Sequence, residues 1–180
     1  MKFKILNYPV VAILHNIRSL HNVGSMFRTA DGAGIKKLYL SGYTGYPPRP
    51  EIAKTALGAE EFVPWERYGH VGKLIEKLRE EGYVIAAIEN GKLCRNAPRR
   101  VQNMPWHVPT KKPIAFIVGN EVKGLSKKVL EKADVILEIP MRGQKESLNV
   151  SVAFGIIAYE LTPRSVPRAF ETCRGNGKHL

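Results

Sequence analysis

Ile114-Ala115-Phe116-Ile117-Val118, running straight into Gly119-Asn120-Glu121, is an apolar stretch with no polar interruption that stops at a glycine. A strand with one wet face would alternate apolar and polar residues. A strand apolar at every position needs cover on both faces. Val10–Leu14 and Val84–Ile88 have the same character, and Lys37–Leu40, Phe62–Pro64 and Val135–Ile139 read as further strands. Helical patterns lie between them, near Val23–Ala33, Glu51–Leu57, Val71–Glu81, Lys127–Ala133 and Ser147–Leu161. This alternation predicts an α/β fold, a mostly parallel sheet with helices on both faces.

The chain has 180 residues, with 44% hydrophobic and 24% charged, which excludes wholesale disorder. We expect one domain over 1–162 and a basic C-terminal tail over 163–180. The formal net charge is +12, so a polyanionic partner is expected, RNA or DNA first. The plainer alternative is a solvated surface that happens to be basic. Cys94 and Cys173 are the only cysteines, and the five histidines are scattered, so no metal site is expected. The apolar run Val10–Leu14 is too short for a signal-peptide core, and no stretch is long enough to span a membrane. A soluble cytoplasmic protein is expected.

Three irregular stretches stand apart. Ser41–Pro50 (SGYTGYPPRP) is a Gly/Tyr/Pro loop after a strand, where ligand sites of open α/β sheets tend to lie. Gly91–Pro113 carries six Lys and Arg residues, no acid, and Trp106-His107. It reads either as an RNA-binding segment with stacking side chains or as a solvated loop with Trp106 on the core. The tail after Pro163 has the look of a frayed basic arm. The last helical segment, through Leu161, bears Glu160 as its one charge. An almost wholly apolar helix must be buried on nearly all sides, either against a second subunit or within the monomer.

Two phosphate motifs fail. Gly32-Ala33-Gly34 begins like GxGxxG, but Lys37 takes the third glycine and a helix precedes it where a strand is needed. Gly119 to Ser126 resembles a P-loop until Leu125 takes the lysine position, so a nucleotide-binding protein built on this loop is disfavoured. Three polar constellations remain, each just after a predicted strand. In Asn16–Asp31, Asn22 is placed to cap a helix or to serve a ligand. Arg28, flanked by Met26, Phe27 and Ala30, is expected to be partly desolvated and to need an anionic partner. Gly119-Asn120-Glu121 is the second constellation. The third is Ile139-Pro140-Met141 with Ser147-Leu148-Asn149, which opens the apolar helix.

In order and at these spacings, the three resemble the motifs of the SpoU (TrmH-type) RNA 2′-O-ribose methyltransferases of the SPOUT class. The first is matched by Asn22, Arg28, Thr29 and Asp31, and the second by Gly119, Glu121 and Gly124. The third is matched by Ile139-Pro140-Met141 and Ser147 to Ser151, with Lys54–Ala59 similar to the stretch between the first two. The resemblance covers roughly residues 8 to 162. It implies a C-terminal trefoil knot, S-adenosylmethionine as cofactor, a tRNA or rRNA substrate and a homodimer. By motif position, Gly119, Ile139 and Leu148 would touch the cofactor, with Ile88 a further candidate. Arg28, Asn22, Glu121, Ser147 and Asn149 would carry the chemistry.

A ribose 2′-OH is a poor nucleophile, so its developing alkoxide needs stabilisation. An arginine pKa above ~12 leaves essentially no neutral form, so Arg28 is expected to act as a phosphate clamp and electrostatic stabiliser. Asn22 and Asn149 would orient the hydroxyl, Ser147 would shape the pocket and Glu121 would hold Arg28 or other site groups. With the first strand starting by Val10, substrate selection is expected from the Tyr/Pro loop, the 91–113 segment and the tail. The rival expectations are a non-catalytic RNA-binding or ribosome-assembly protein of the same fold, and an RNA base methyltransferase.

Overall fold

The computed structural model describes residues 8–89, 101–103 and 112–162, with the backbone alone at 101–103. Its strands are β1 (Val10–His15), β2 (Lys37–Ser41), β3 (Trp65–Tyr68), β4 (Val84–Ile88), β5 (Val101–Asn103), β6 (Ile114–Val118) and β7 (Val135–Glu138). The helices are α1 (Leu20–Ala33), α2 (Pro50–Ala56), α3 (Ala59–Phe62), α4 (Val71–Glu80), α5 (Lys127–Glu131) and α6 (Val150–Leu161). The strands form one sheet in the order β3-β2-β1-β6-β4-β7-β5, and every pairing is parallel.

The unbroken apolar runs are explained by two cores, one on each face. Ala12, Leu14, Phe116 and Val118 face α1, α2 and α6, meeting Met26, Phe27, Ile52, Phe154 and Ile157. Their chain neighbours Val11, Ile13, Ala115 and Ile117 point the other way, onto Leu74, Ile75 and Leu78 of α4 and Val129 and Leu130 of α5. Successive strand residues point to opposite faces, so both parities had to be apolar. Phe116 and Phe154 join the sheet to α6 with ring centroids 5.2 Å apart.

The chain builds outward from β1 to β2 and β3, then crosses by α4 to β4 on the far side of β6. The direction of winding therefore reverses between β1 and β6. Open parallel sheets bind ligands beyond the carboxyl ends of the strands at such a reversal. The loops after β1, β6 and β7 carry the three polar constellations, and two of those strands flank the reversal.

Some expectations need correction. Phe62–Pro64 is not a strand: Phe62 ends α3 with its side chain 77% exposed, and the edge strand begins at Trp65. The last helix starts at Val150 instead of Ser147. Asn22 does not cap α1. Ser19 does, accepting the Asn22 N–H at 3.2 Å. Of the basic 91–113 stretch, β5 and residues 112–113 are described. The rest of it, including Trp106 and His107, lies outside the described residues, as does the tail from 163.

Helices α1 and α2 touch at Gly24, where an added Cβ would overlap the Ile52 carbonyl oxygen and Thr55 Oγ1. A backbone carbonyl cannot swing aside as a side chain can. Gly24→Ala is therefore expected to destabilise the fold by about 1–3 kcal/mol, read as a lower urea midpoint with an unchanged m-value. An unchanged midpoint would show that the two helices slide apart freely.

Candidate active site

Residues from all three constellations meet beyond the carboxyl ends of β1, β6 and β4. Glu121, three residues after β6, reaches across to the start of α1. Its Oε2 accepts the Arg18 N–H at 3.0 Å, and its Oε1 accepts the Ser19 N–H at 3.1 Å. Oε1 also accepts from Asn22 Nδ2 at 3.2 Å. Asn22 in turn accepts at Oδ1 from Asn149 Nδ2, at 3.4 Å. Asn149 caps α6, its Oδ1 accepting from the Ser151 N–H at 2.8 Å. Glu121, Asn22 and Asn149 thus form one chain of polar contacts across the ends of three elements.

The loop after β6 is shaped by glycines and by Asn120. A Cβ on Gly119 would overlap Gly124 and the Leu125 side chain, while Gly124 sits at φ +64, where glycine is favoured. Asn120 Oδ1 accepts the N–H groups of Val122 and Lys123 at 3.0 and 2.8 Å, closing the turn. Ile88, Glu89, Val118, Gly119, Asn120, Gly124, Ser147, Leu148, Val150 and Ala153 enclose a small cavity of about 80 Å³. Three of the four expected cofactor residues, Ile88, Gly119 and Leu148, are on its wall. Ile139 is not: it is buried in the core at the end of β7. Glu89, whose Oε2 accepts the Leu125 N–H at 2.6 Å, was missed from the sequence. Its position directly after β4 was the available signal.

Arg28 departs from expectation. Its side chain is exposed and does not line the cavity, and it has no hydrogen bond or ion pair among the described residues. At ~100° per residue it falls roughly opposite the Val23–Met26–Phe27–Ala30 stripe, so sequence neighbours that looked like walls face the core without it. Glu121 consequently holds Asn22 and the loop backbone, and not Arg28. Ser147 is exposed at the cavity rim. Among the described residues, no group of three or more His, Cys, Asp and Glu could hold a metal ion, and no helix is long and apolar enough to cross a membrane.

Burial raises the Glu121 pKa, but the N–H groups of Arg18 and Ser19, its own N–H and Asn22 together outweigh this. The net value lies below the usual carboxylate range. Burial alone lowers His15, whose Nε2 accepts from Asn16 Nδ2 at 3.0 Å and whose Nδ1 lies 2.9 Å from Ser41 Oγ. Both folded pKa values are depressed. Each group therefore contributes stability above its ordinary pKa that is lost as pH falls through its folded value. Acid titration of the urea midpoint should decline first below the ordinary histidine range and again below the carboxylate range. His15→Asn should shrink the first step, and a profile identical to wild type would contradict this.

The model of the SpoU rRNA Methylase family matches residues 9–159. A putative TrmH family tRNA/rRNA methyltransferase of Bacillus subtilis, YacO, is 30% identical over 88% of this chain and 60% of its own length. One from Staphylococcus haemolyticus is 34% identical over 84% of this chain and 57% of its own. The chain thus spans about 60% of the length of these curated relatives. An AdoMet-bound rRNA methyltransferase from Sinorhizobium meliloti superposes with a TM-score of 0.72 at 26% identity, over 88% of this chain and 60% of its own. A protein solved in a study of 2-OH methylation of C/U34 on tRNA gives a TM-score of 0.70 at 25% identity, over 85% of this chain and 93% of its own. The family model spans most of the chain, and the chain belongs to the SpoU rRNA Methylase family.

Proposed function

We propose that this chain transfers a methyl group from S-adenosylmethionine to a ribose 2′-OH of tRNA or rRNA. The observation that carries the reading is the convergence of Asn22, Glu121 and Asn149 beside the Gly119 cavity, from three segments far apart in sequence. The AdoMet-bound relative and the relative studied for 2-OH methylation support the cofactor and the acceptor. A net charge of +12 suits an RNA partner.

The cavity fits part of such a cofactor. Ile88, Val118, Leu148, Val150 and Ala153 give apolar walls, Gly119 leaves room for close backbone approach, and Glu89, which accepts from the Leu125 N–H, adds a carboxylate to the wall. When bound, S-adenosylmethionine supplies an electrophilic methyl group on a sulfonium. The protein's part is to exclude water with those apolar walls and to bring the hydroxyl in line. In this reading the amides of Asn22 and Asn149 orient that hydroxyl, and Ser147 shapes the rim. Glu121 positions Asn22.

Arg28 lies off the cavity in its own chain, so we infer that it serves a second copy in a homodimer. There it holds the substrate phosphate and offsets the negative charge that develops on the 2′ oxygen as the hydroxyl proton passes to solvent water and the oxygen gains the methyl group. The apolar face of α6 supports a dimer: Phe154, Ile157 and Leu161 are buried, yet Val152 and Tyr159 are 50% and 57% exposed. Burial within the monomer does not account for these two. The C-terminal trefoil knot belongs to the same reading. Its support is that Ser147 and Leu148 return to the loops after β4 and β6, so the C-terminal segment runs beside the 119–124 turn. A single domain over 1–162, a basic tail over 163–180 and a cytoplasmic location complete it.

The test is methyl transfer from labelled S-adenosylmethionine to separate tRNA and rRNA fractions. Label in either supports the reading and names the substrate class. Cofactor binding without label, or RNA binding without cofactor binding, would contradict it. The latter would leave a non-catalytic RNA-binding protein of this fold.

A further inference from the structure

The Gly/Tyr/Pro loop after β2 presents Tyr43 in an unusual way. Its ring is 61% exposed, yet its polar atoms are held from two sides. The hydroxyl oxygen accepts from Asn120 Nδ2 at 2.8 Å, and the backbone N–H donates to Asn16 Oδ1 at 3.1 Å. Asn120 is only 8% exposed and is fixed by its own turn and by the Asn16 carbonyl, which accepts from Nδ2 at 3.1 Å. Asn16 sits at φ 58 and is tied through His15 to Ser41, which is fully buried. An exposed aromatic ring is ordinarily free to turn. Here four residues, Asn120, Asn16, His15 and Ser41, fix it before any ligand arrives.

The residues around the ring line two concave surfaces. Asn120 lines the candidate cofactor cavity, while Asn16 and Gly42 line an open cleft of about 580 Å³ bounded by His70, Lys73 and Glu76. The exposed residues Arg18 and Lys123 rise from backbone positions pinned to the same Asn120–Glu121 turn. An aromatic face with cations beside it is what a single-stranded polyanion with flat bases requires.

We propose that Tyr43 is a stacking platform for an unpaired RNA base next to the modified nucleotide, with Arg18 and Lys123 engaging the adjoining phosphates. The proposal rests on the methyltransferase reading for its position but not for its chemistry. A fixed ring binds with little loss of side-chain freedom. Tyr43 is thus a binding and positioning residue, setting where the strand lies.

The experiment compares wild type with Tyr43→Leu, Tyr43→Phe and Tyr43→Trp, using methyl transfer to the tRNA and rRNA fractions. Fluorescence anisotropy with a short fluorescein-labelled single-stranded RNA of mixed sequence gives affinity directly. Tyr43→Leu should raise the RNA KM and the probe Kd about ten- to a hundredfold, with kcat at saturating RNA and the S-adenosylmethionine KM little changed. Tyr43→Phe and Tyr43→Trp keep a ring and should stay within a few fold of wild type. A Leu variant with unchanged RNA affinity overturns the platform, as does a Phe variant as damaged as Leu, or a loss confined to melting temperature or cofactor KM. Wild type that binds the probe in a Tyr43-dependent way but transfers no methyl group keeps the platform and sinks the methyltransferase reading. Wild type that binds no RNA overturns both.

Discussion

Arg28→Ala should lower methyl transfer about 10²- to 10³-fold while leaving S-adenosylmethionine affinity and melting temperature close to wild type. The magnitude is that of removing one preorganised electrostatic stabiliser from a transition state. Stability should hold because the side chain is exposed and makes no hydrogen bond or ion pair among the described residues. A residue fixing the fold would behave in the opposite way. Lys at this position should recover only part of the rate, since it keeps the charge but loses the planar fork that grips a phosphate. The placement of Arg28 adds a sharper expectation. Mixed with a Gly119→Val protein, whose side chain would displace the Gly124–Leu125 turn that walls the cavity, Arg28→Ala should regain activity, because one heterodimer site then has both an intact cavity and the other copy's arginine. Random mixing gives roughly a quarter of wild-type activity. Two inactive proteins that stay inactive when mixed, despite exchange of subunits, would place Arg28 at its own chain's site or outside the mechanism.

Glu121→Ala should be the most damaging change among the polar residues of the site. One carboxylate accepts from Arg18 N–H, Ser19 N–H and Asn22 Nδ2, joining the loop after β1 to the loop after β6. Water replaces part of this at a half-buried position, so the stability loss is expected to be about 1–3 kcal/mol, below the sum of three charge-assisted bonds. Activity should fall further, by 10²-fold or more, because Asn22 loses its anchor and a misplacement of about 1 Å suffices for that. Glu121→Gln should fall between the two, its amide NH₂ now facing donors. Denaturant unfolding and kcat/KM on the same preparations separate the effects. Full activity in Glu121→Ala would show that the Asn22–Asn149 contact holds unaided.

The sequence made the two-faced sheet legible because its central strands lacked polar residues at both parities. Val84–Ile88 and Ile114–Val118 stand where they were read, and Val10–Leu14 falls short only by His15. The edges were harder to read. Trp65–Tyr68 is a half-exposed edge strand with Glu66 and Arg67 inside it, and β5 is three residues long. Neither offers an apolar run. Phe62-Val63 offered one falsely: Val63 alone goes into the core, and Pro64 has no N–H for a ladder. At α1 both Ser19 and Asn22 are capping types, and the helix took the earlier one.

The site was legible as three motifs but not as a geometry. Glu121 holding Asn22, and Asn22 meeting Asn149, bridge 99 and 127 positions of chain, which no local pattern encodes. The exposure of Arg28 was readable in principle, since helix faces follow three- and four-residue steps and not adjacency. The sequence pointed to the Tyr/Pro loop for substrate selection, but not to Tyr43 within it. The platform depends on Asn16 and Asn120 arriving from either side of the sheet's reversal point, and in the sequence Tyr43 is one of two tyrosines in a turn-rich loop.

The central claim is that the acceptor atom is a ribose oxygen. It is tested most directly by alkaline hydrolysis of RNA labelled by the enzyme. Alkali cleaves RNA through the free 2′-OH, so a methyl group there protects the adjoining phosphodiester bond. We expect the label in alkali-resistant dinucleotides. Label recovered wholly in mononucleotides would place the methyl group on a base and contradict the account.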